Sequence, residues 1–215
     1  MSILATPSTQ QVTNKNSLAQ LRVDVLIKLR EEVGNPTFWT FDEVDGYLNK
    51  GYKLLCKDGD FIISEGLLTL QTSVSIYDLP SDLVEVSKFY LDCLTQKSRL
   101  RFSKASGTPL NWDYFGAGKI MVDPIPAATD SGDTADFEYR AYPALLSADA
   151  DEVINILDVR EGVFNYALYE ALDKEGDGQD KKRALFYYNE YEKYKAKALL
   201  VIENMKPAYV LAGGR

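Results

Sequence analysis

A chain of 215 residues, 46% of them hydrophobic, is long enough to bury a core as one large domain or two small ones, and too apolar to be disordered. Its 24 basic against 32 acidic side chains leave a net charge of −8, the wrong sign for a protein whose task is to grip phosphate backbones. The absence of histidine removes the commonest general base, the Ser/His and Cys/His nucleophiles and histidine metal sites.

The two cysteines, Cys56 and Cys93, lie far apart with no metal-ligand spacing, so they read as core residues and not as a disulfide or zinc framework. No run of about 18 apolar residues occurs, and the N-terminus lacks a charged-then-apolar leader, so a soluble protein is expected.

Residues 1–17 are polar and aperiodic, rich in Ser, Thr, Gln and Asn, and read as a flexible arm. Ser17 with Gln20 makes a capping-box signature. Leu18, Leu21, Val25, Leu26, Leu29 and Val33 then fall on one helical face that stops at Gly34, which predicts a first helix over 18–33. A second box at Thr40 and Glu43 opens a helix over 41–57. Trp39 is placed to staple against Val44, and Phe41, Val44, Leu48, Tyr52 and Leu55 are spaced for burial.

From Phe61 to Tyr142 the texture becomes β-like. Runs at 66–72, 74–77, 83–94, 119–122 and 135–142 are broken by Pro80, Gly107, Pro109, Gly116, Gly118, Pro124 and Pro126. The weakly apolar stretch 127–134 reads as a projecting hairpin loop between the last two strands. After the acidic Asp149, Asp151 and Glu152, Asp158 with Glu161 starts a third helix. Its buried stripe is Val163, Phe164, Ala167, Leu168, Ala171 and Leu172, and it ends near Gly176.

The fourth helix is the strongest signal in the chain, because neither Gly nor Pro interrupts residues 181–206. Tyr187, Tyr188, Tyr191, Tyr194, Ala198, Leu199, Ile202 and Met205 share one face with Ala184, while Glu190, Glu192, Lys193 and Lys197 take the other. Phe186 and Leu200 sit near the middle of that charged face, where a monomer gains nothing from them; an intermolecular contact would explain both, and scattered exposed apolar residues of an ordinary surface are the alternative.

The expected fold class is therefore α+β: an antiparallel four-helix bundle with a small antiparallel β-sheet insertion between helices 2 and 3, a long C-terminal helix and an extended tail. The expected divisions are an arm at 1–17, a helical bundle from 18–60 and 153–205, a β-rich insertion at 61–152 and a tail at 206–215.

Three groups invite a chemical claim, and none is completed by its neighbours. Asp173, Glu175, Asp177 and Gly178 imitate the opening of an EF-hand loop, but its twelfth place is Ala184 where a bidentate Glu must close the shell. Asp149, Asp151 and Glu152 lie in one acidic loop and not across a cleft, as glycoside hydrolysis requires. Trp112, Tyr114 and Phe115 could stack on sugars or bases, although aromatics on short strands belong to cores. No catalytic residue, cofactor or metal is expected.

The order of parts, two short helices, a β-rich insertion and two more helices of which the last is long, carries a resemblance. With it go Trp39-Thr40-Phe41-Asp42-Glu43-Val44, Tyr47-Leu48-Asn49, Tyr77-Asp78-Leu79-Pro80, Asp82-Leu83, Gly107-Thr108-Pro109, Asp123-Pro124 with Pro126, Tyr142-Pro143, and the 184–198 stretch containing Tyr188 and Tyr191. Over 18–205 the chain resembles the head-to-tail adaptor, or connector, proteins of tailed bacteriophages.

The resemblance implies a non-enzymatic virion protein, assembled in the host cytoplasm. It self-associates into a dodecameric ring under the portal protein, joins a tail or nozzle protein, and lets DNA pass without specific binding; no membrane is involved. Mapped onto this chain, it makes Phe186, Leu200, Tyr209, Val210 and Leu211 candidates for portal contact. Ala127, Thr129, Asp130, Ser131, Gly132 and Asp133 become candidates for tail-side contact. Two other readings stay open at this stage: a tail-completion or tail-tube subunit, and a carbohydrate-binding or carbohydrate-processing protein using Trp112, Tyr114 and the acidic loop.

Overall fold

The structure, a computed structural model, describes residues 15–90, 96–97, 105–156, 158–174, 176 and 179–205. The chain divides into two compact units, a helical one from 1–55 with 145–215 and a β-rich one from 56–144. The arm before Lys15, Cys93 and the tail after Met205 lie outside the described residues.

The helical unit is built from α1 (Leu18–Leu29), α2 (Phe41–Gly59, whose last residues enter the β-rich unit), α3 (Val159–Asp173) and α4 (Lys181–Met205). Ser17 caps α1, its hydroxyl accepting from the Gln20 amide at 3.3 Å. The helix was expected to run to Val33 but ends four residues earlier. Arg30 turns left-handed at φ 65°, its amide bonds Ile27 and the Glu31 amide bonds Leu26, which is a Schellman stop with arginine at the place usually held by glycine. The loop beyond is held by Glu31, whose carboxylate accepts from Thr37 and Phe38 amides at 3.0 and 3.2 Å. At α2 the reciprocal capping box forms as spaced: the Thr40 amide donates to Glu43 at 2.9 Å and the Glu43 amide to the Thr40 hydroxyl at 3.3 Å.

The centre of this unit is α3. Val159, Gly162, Val163, Asn165, Tyr166, Ala167, Leu168, Ala171 and Leu172 are buried, which covers nearly every side of the helix and explains why it lacks a clean polar face. α1 packs on α3, α4 lies along it, and α2 with the residues leading into it meets α3 through side chains: Trp39, ahead of α2, donates from its indole N–H to the Ala171 carbonyl at 2.9 Å, and Lys50 of α2 pairs with Glu170 at 2.8 Å. Among its described side chains α4 buries Ala184, Tyr187, Tyr191 and Ala198, the alternating three-and-four spacing of a seam packed chiefly on α3. Tyr188, expected on the packing face, stands at its exposed edge with its ring 5.1 Å from Tyr169.

In the β-rich unit, β1 (Ile63–Thr69), β7 (Thr134–Ala141) and β3 (Leu83–Tyr90) form one antiparallel sheet in the order β1-β7-β3. A second sheet runs β2-β6-β5-β4, from β2 (Ile76–Asp78), β6 (Lys119–Asp123), β5 (Asn111–Tyr114) and β4 (Gln96–Lys97), with β4 parallel to β5. Leu68, Val86, Phe89, Phe137 and Tyr139 of the first sheet and Tyr77, Trp112, Ile120 and Val122 of the second make one core. The rings of Trp112, Phe89, Phe137 and Tyr139 follow one another through it at centroid spacings of 5.3, 6.0 and 5.6 Å.

Two parts of the expected fold class are thereby corrected. The β-structure is not one small antiparallel sheet but two sheets. β7 alternates buried and exposed residues along its whole length, so its sheet needs a cover, and the second sheet supplies it. Nor do the helices form an antiparallel four-helix bundle. α1, at 12 residues, is less than half the 25-residue α4, and the other three gather around α3 instead of facing one another across a shared axis. The 127–134 stretch is also no hairpin. β6 and β7 belong to different sheets, and the segment crosses between them through a 3-10 turn at Ala128–Asp130.

Candidate assembly surfaces

The acidic loop, and Trp112 and Tyr114 of the aromatic group, are engaged structurally. In the acidic loop, the Asp151 carboxylate accepts from the Ser147 and Ala148 amides at 2.6 and 2.8 Å, and those bonds hold it below the usual carboxylate range. The Asp151 and Asp149 carbonyls take the Leu18 and Ala19 amides, so this loop satisfies the N-terminus of α1. Asp149 also pairs with Arg22 at 2.9 Å, which makes a two-point contact with Asp45 as well.

Trp112 exposes only 5% of its surface, and the Tyr114 hydroxyl accepts from the Val86 amide at 2.6 Å inside the β-rich unit. Of the three aromatics that could have formed a stacking platform, Phe115 alone is exposed. Of the calcium-like loop, Glu175, Asp177 and Gly178 lie outside the described residues. Lys174 beside it bonds the Phe38 carbonyl at 3.0 Å and Glu43 at 2.7 Å, and this ammonium, with the Thr40 amide, lowers the Glu43 pKa. Among the described residues, no cluster of three or more Cys, Asp and Glu could hold a metal, and no buried side-chain nitrogen or oxygen lacks a partner. No described helix is long and apolar enough to cross a membrane.

What remains is surface. Phe186 and Leu200 expose 57% and 59% of their areas, as their positions on the helical wheel require, and Leu185 joins them. The spacing that marks Phe186 and Leu200 does not single out Leu185, which stands at the flank of the seam beside the buried Ala184. The helix carrying them is held rigidly: Asp180 caps it by accepting from the Arg183 amide at 3.0 Å, and Tyr191 meets Tyr166 ring edge to ring face at 5.1 Å. A helix of 25 residues spans about 37 Å. Rigid support under exposed apolar side chains suits a docking face. Tyr209, Val210 and Leu211 lie outside the described residues.

The other candidate surface is the crossover at 127–133. Thr129, Ser131, Gly132 and Asp133 are exposed and Ala127 is half-buried, but Asp130 is only 4% exposed. Its carboxylate accepts from the Ala127 amide at 2.8 Å and the Thr108 hydroxyl at 2.9 Å, so Asp130 fixes the turn and does not present itself to a partner. Gly132, at φ 95°, adopts the left-handed backbone that lets its amide return to the Leu70 carbonyl at 3.0 Å. The crossover is thus a rigid feature with a polar rim.

The exposed apolar side chains on the longest helix of the helical unit are of the kind by which structural proteins assemble. The family model described as SU10 adaptor protein matches residues 17–209, nearly the whole chain. The chain belongs to that family, one of phage head-to-tail adaptors, and is a structural component of the virion. No match was found among the curated proteins.

Proposed function

We propose that the chain assembles into a dodecameric ring beneath the portal, joining the capsid to a tail or nozzle protein and leaving a channel through which DNA passes unbound. The observation that carries this reading, beyond membership of the adaptor family, is the solvent-facing apolar set on α4. Phe186 and Leu200, with Tyr209, Val210 and Leu211 beyond the helix, meet the portal. Ala127, Thr129, Ser131, Gly132 and Asp133 meet the tail side, on a turn whose shape Asp130 sets. The net charge of −8 suits a conduit that must not retain DNA, since like charges repel across the channel.

Native mass spectrometry of the full chain, alone and with the portal protein encoded in the same genome, tests the proposal. The expected result is a complex in which adaptor copies match portal subunits in number. A folded chain that ignores assembled portals but joins tail proteins would replace the portal reading with that of a tail component.

A further inference from the structure

The β-rich unit carries one open strand edge. β1 is an outer strand of its sheet, paired on one side with β7 and on the other with no described residue. The Ala141 amide donates to the Ile62 carbonyl at 3.0 Å and the Leu70 amide to the Asp133 carbonyl at 2.8 Å, so the even-numbered residues of this stretch make the ladder to β7. Bonding alternates along an antiparallel pair, and Ile63, Glu65, Leu67 and Thr69 therefore turn their amides and carbonyls away from β7. Their side chains are the exposed ones of the strand, Ile63 and Leu67 showing 58% and 63% of their areas.

The other outer strands of the unit are blunted. β3 meets β7 with two register shifts, carries Lys88, and has its Val86 amide taken by the Tyr114 hydroxyl at 2.6 Å. β2 and β4 are three and two residues long. β1 has none of these protections: it keeps unbroken register with β7 over seven residues, about 23 Å, without Pro or Lys. An edge of that length with exposed apolar side chains is a template for another strand.

Two observations select the strand. β1 runs directly into the 127–133 turn, because Leu70 bonds Asp133 through its amide and Gly132 through its carbonyl, so edge and turn form one continuous surface. That turn is the tail-side candidate. The register also sets Glu65 opposite Glu138, a like-charge pairing that costs stability. Lys88 is taken by Glu138 and Arg140 by Asp60 and Glu85, while Glu65 and Asp136, both exposed, have no ion pair among the described residues, outside which Arg99, Arg101 and Lys104 lie. Two β1 strands match each other poorly. The antiparallel register that joins Ile63 to Leu67 sets Glu65 against Glu65, and the full-length register sets Leu67 against Glu65.

We infer that β1 receives an extended strand of the tail-side protein, with apolar side chains four residues apart for Ile63 and Leu67 and a basic one between them for Glu65. This deepens the tail-side reading above and rests on it. Backbone pairing supplies the affinity, and the three alternating side chains select the segment.

The test titrates the full chain with the tail or nozzle protein encoded in the same genome and follows amide exchange residue by residue. In the complex the outward amides of Ile63, Glu65, Leu67 and Thr69 should exchange at least about tenfold more slowly than in the free chain. Leu67→Pro removes one outward N–H while Gly66 and Leu68 keep their bonds to β7. Glu65→Lys leaves the backbone unaltered, relieves the repulsion from Glu138 and so should hold or raise the melting temperature, which keeps the test sound should proline disturb the sheet. Each variant should bind the tail-side protein at least about tenfold more weakly and the portal equally well.

Tail binding equal to the parent's in both variants, with the outward amides unprotected, would overturn the inference; Ser131→Arg on the turn, if it still weakens binding, would leave the tail-side reading standing. Protection of the same amides in the concentrated chain alone would give the edge to a second copy and overturn the inference. An unaltered chain that binds no tail-side protein would remove both.

Discussion

Replacing Gly46 and Gly51 with alanine, one at a time, sets helix propensity against packing within a single helix. Both lie in α2, where alanine is favoured over glycine by about 0.8–1 kcal/mol. A Cβ on Gly46 would meet nothing within 4 Å, so the propensity gain should appear in full. A Cβ on Gly51 would lie 2.9 Å from both Cβ and Cδ1 of Tyr166 and 3.1 Å from its Cγ. Those atoms are the stem of the side chain, which cannot swing away. Its hydroxyl is fixed to Glu170 at 2.8 Å, and its ring is wedged against Tyr169 and Tyr191 at 5.7 and 5.1 Å. Relief requires α2 and α3 to separate by several tenths of an ångström, an overpacking cost of about 1–3 kcal/mol that exceeds the propensity gain.

Gly46→Ala should therefore raise the thermal midpoint by about 2–4 °C, and Gly51→Ala should lower it by up to about 8 °C, at roughly 2–4 °C per kcal/mol for a chain of this size. Far-ultraviolet circular dichroism melts, with urea titrations to check that the slope is unchanged, read both. If the two alanines shift the midpoint in the same direction, the close approach of α2 to Tyr166 is wrong.

Three further expectations follow from the same contacts. Phe186→Asp and Leu200→Asp should leave the melting curve within about 0.5 kcal/mol of the parent, since both side chains point to solvent, yet weaken portal binding at least about tenfold in surface-immobilised portal assays. Equal binding would remove them from the contact. Asp130→Ala should cost about 1–3 kcal/mol by leaving the Ala127 amide and the Thr108 hydroxyl unpaired, and a urea midpoint equal to the parent's would show that the turn does not depend on that carboxylate.

Acid should destabilise the helical unit in a defined window. Asp151, held down by the Ser147 and Ala148 amides, and Glu43, held down by Lys174 and Thr40, have folded pKa values below their unfolded ones. Their contribution is complete above the unfolded carboxylate range of about 4 and is lost as pH falls through the lower folded values. Melting temperatures should be flat from pH 7 to 5 and fall below about pH 4, less steeply in Asp151→Asn. An unaltered acid slope in that variant would contradict the assignment.

Local signals were legible in the sequence wherever a few neighbouring residues decide the outcome. The Thr40–Glu43 box, the unbroken run after Asp180 and the outward positions of Phe186 and Leu200 all depend on spacing within one helix. What could not be read depends on residues distant in the chain. β1 pairs with β7 across some seventy residues, and the sheet holding Trp112 covers the one holding Phe137, so aromatics that resemble a ligand platform in the sequence became the core of a sandwich. The crossover at 127–133 has hairpin composition, yet Thr108, bonded to its buried Asp130 carboxylate, and the Leu70 carbonyl, which takes its Gly132 amide, shape it from outside. α1 stopped early at Arg30 because the Glu31 carboxylate organises the following loop, an arrangement that no propensity for arginine suggests. The narrow seam of α4 likewise follows from its packing chiefly on α3, which its own periodicity does not reveal.

Cryo-electron microscopy of the intact virion at its tail vertex tests the proposed place of this chain between portal and tail. The expected result is density for the chain as a closed ring in register with the portal subunits, with Phe186 and Leu200 in contact with the portal. Particles in which that position is filled by another protein, with this chain absent or placed along the tail, would contradict it.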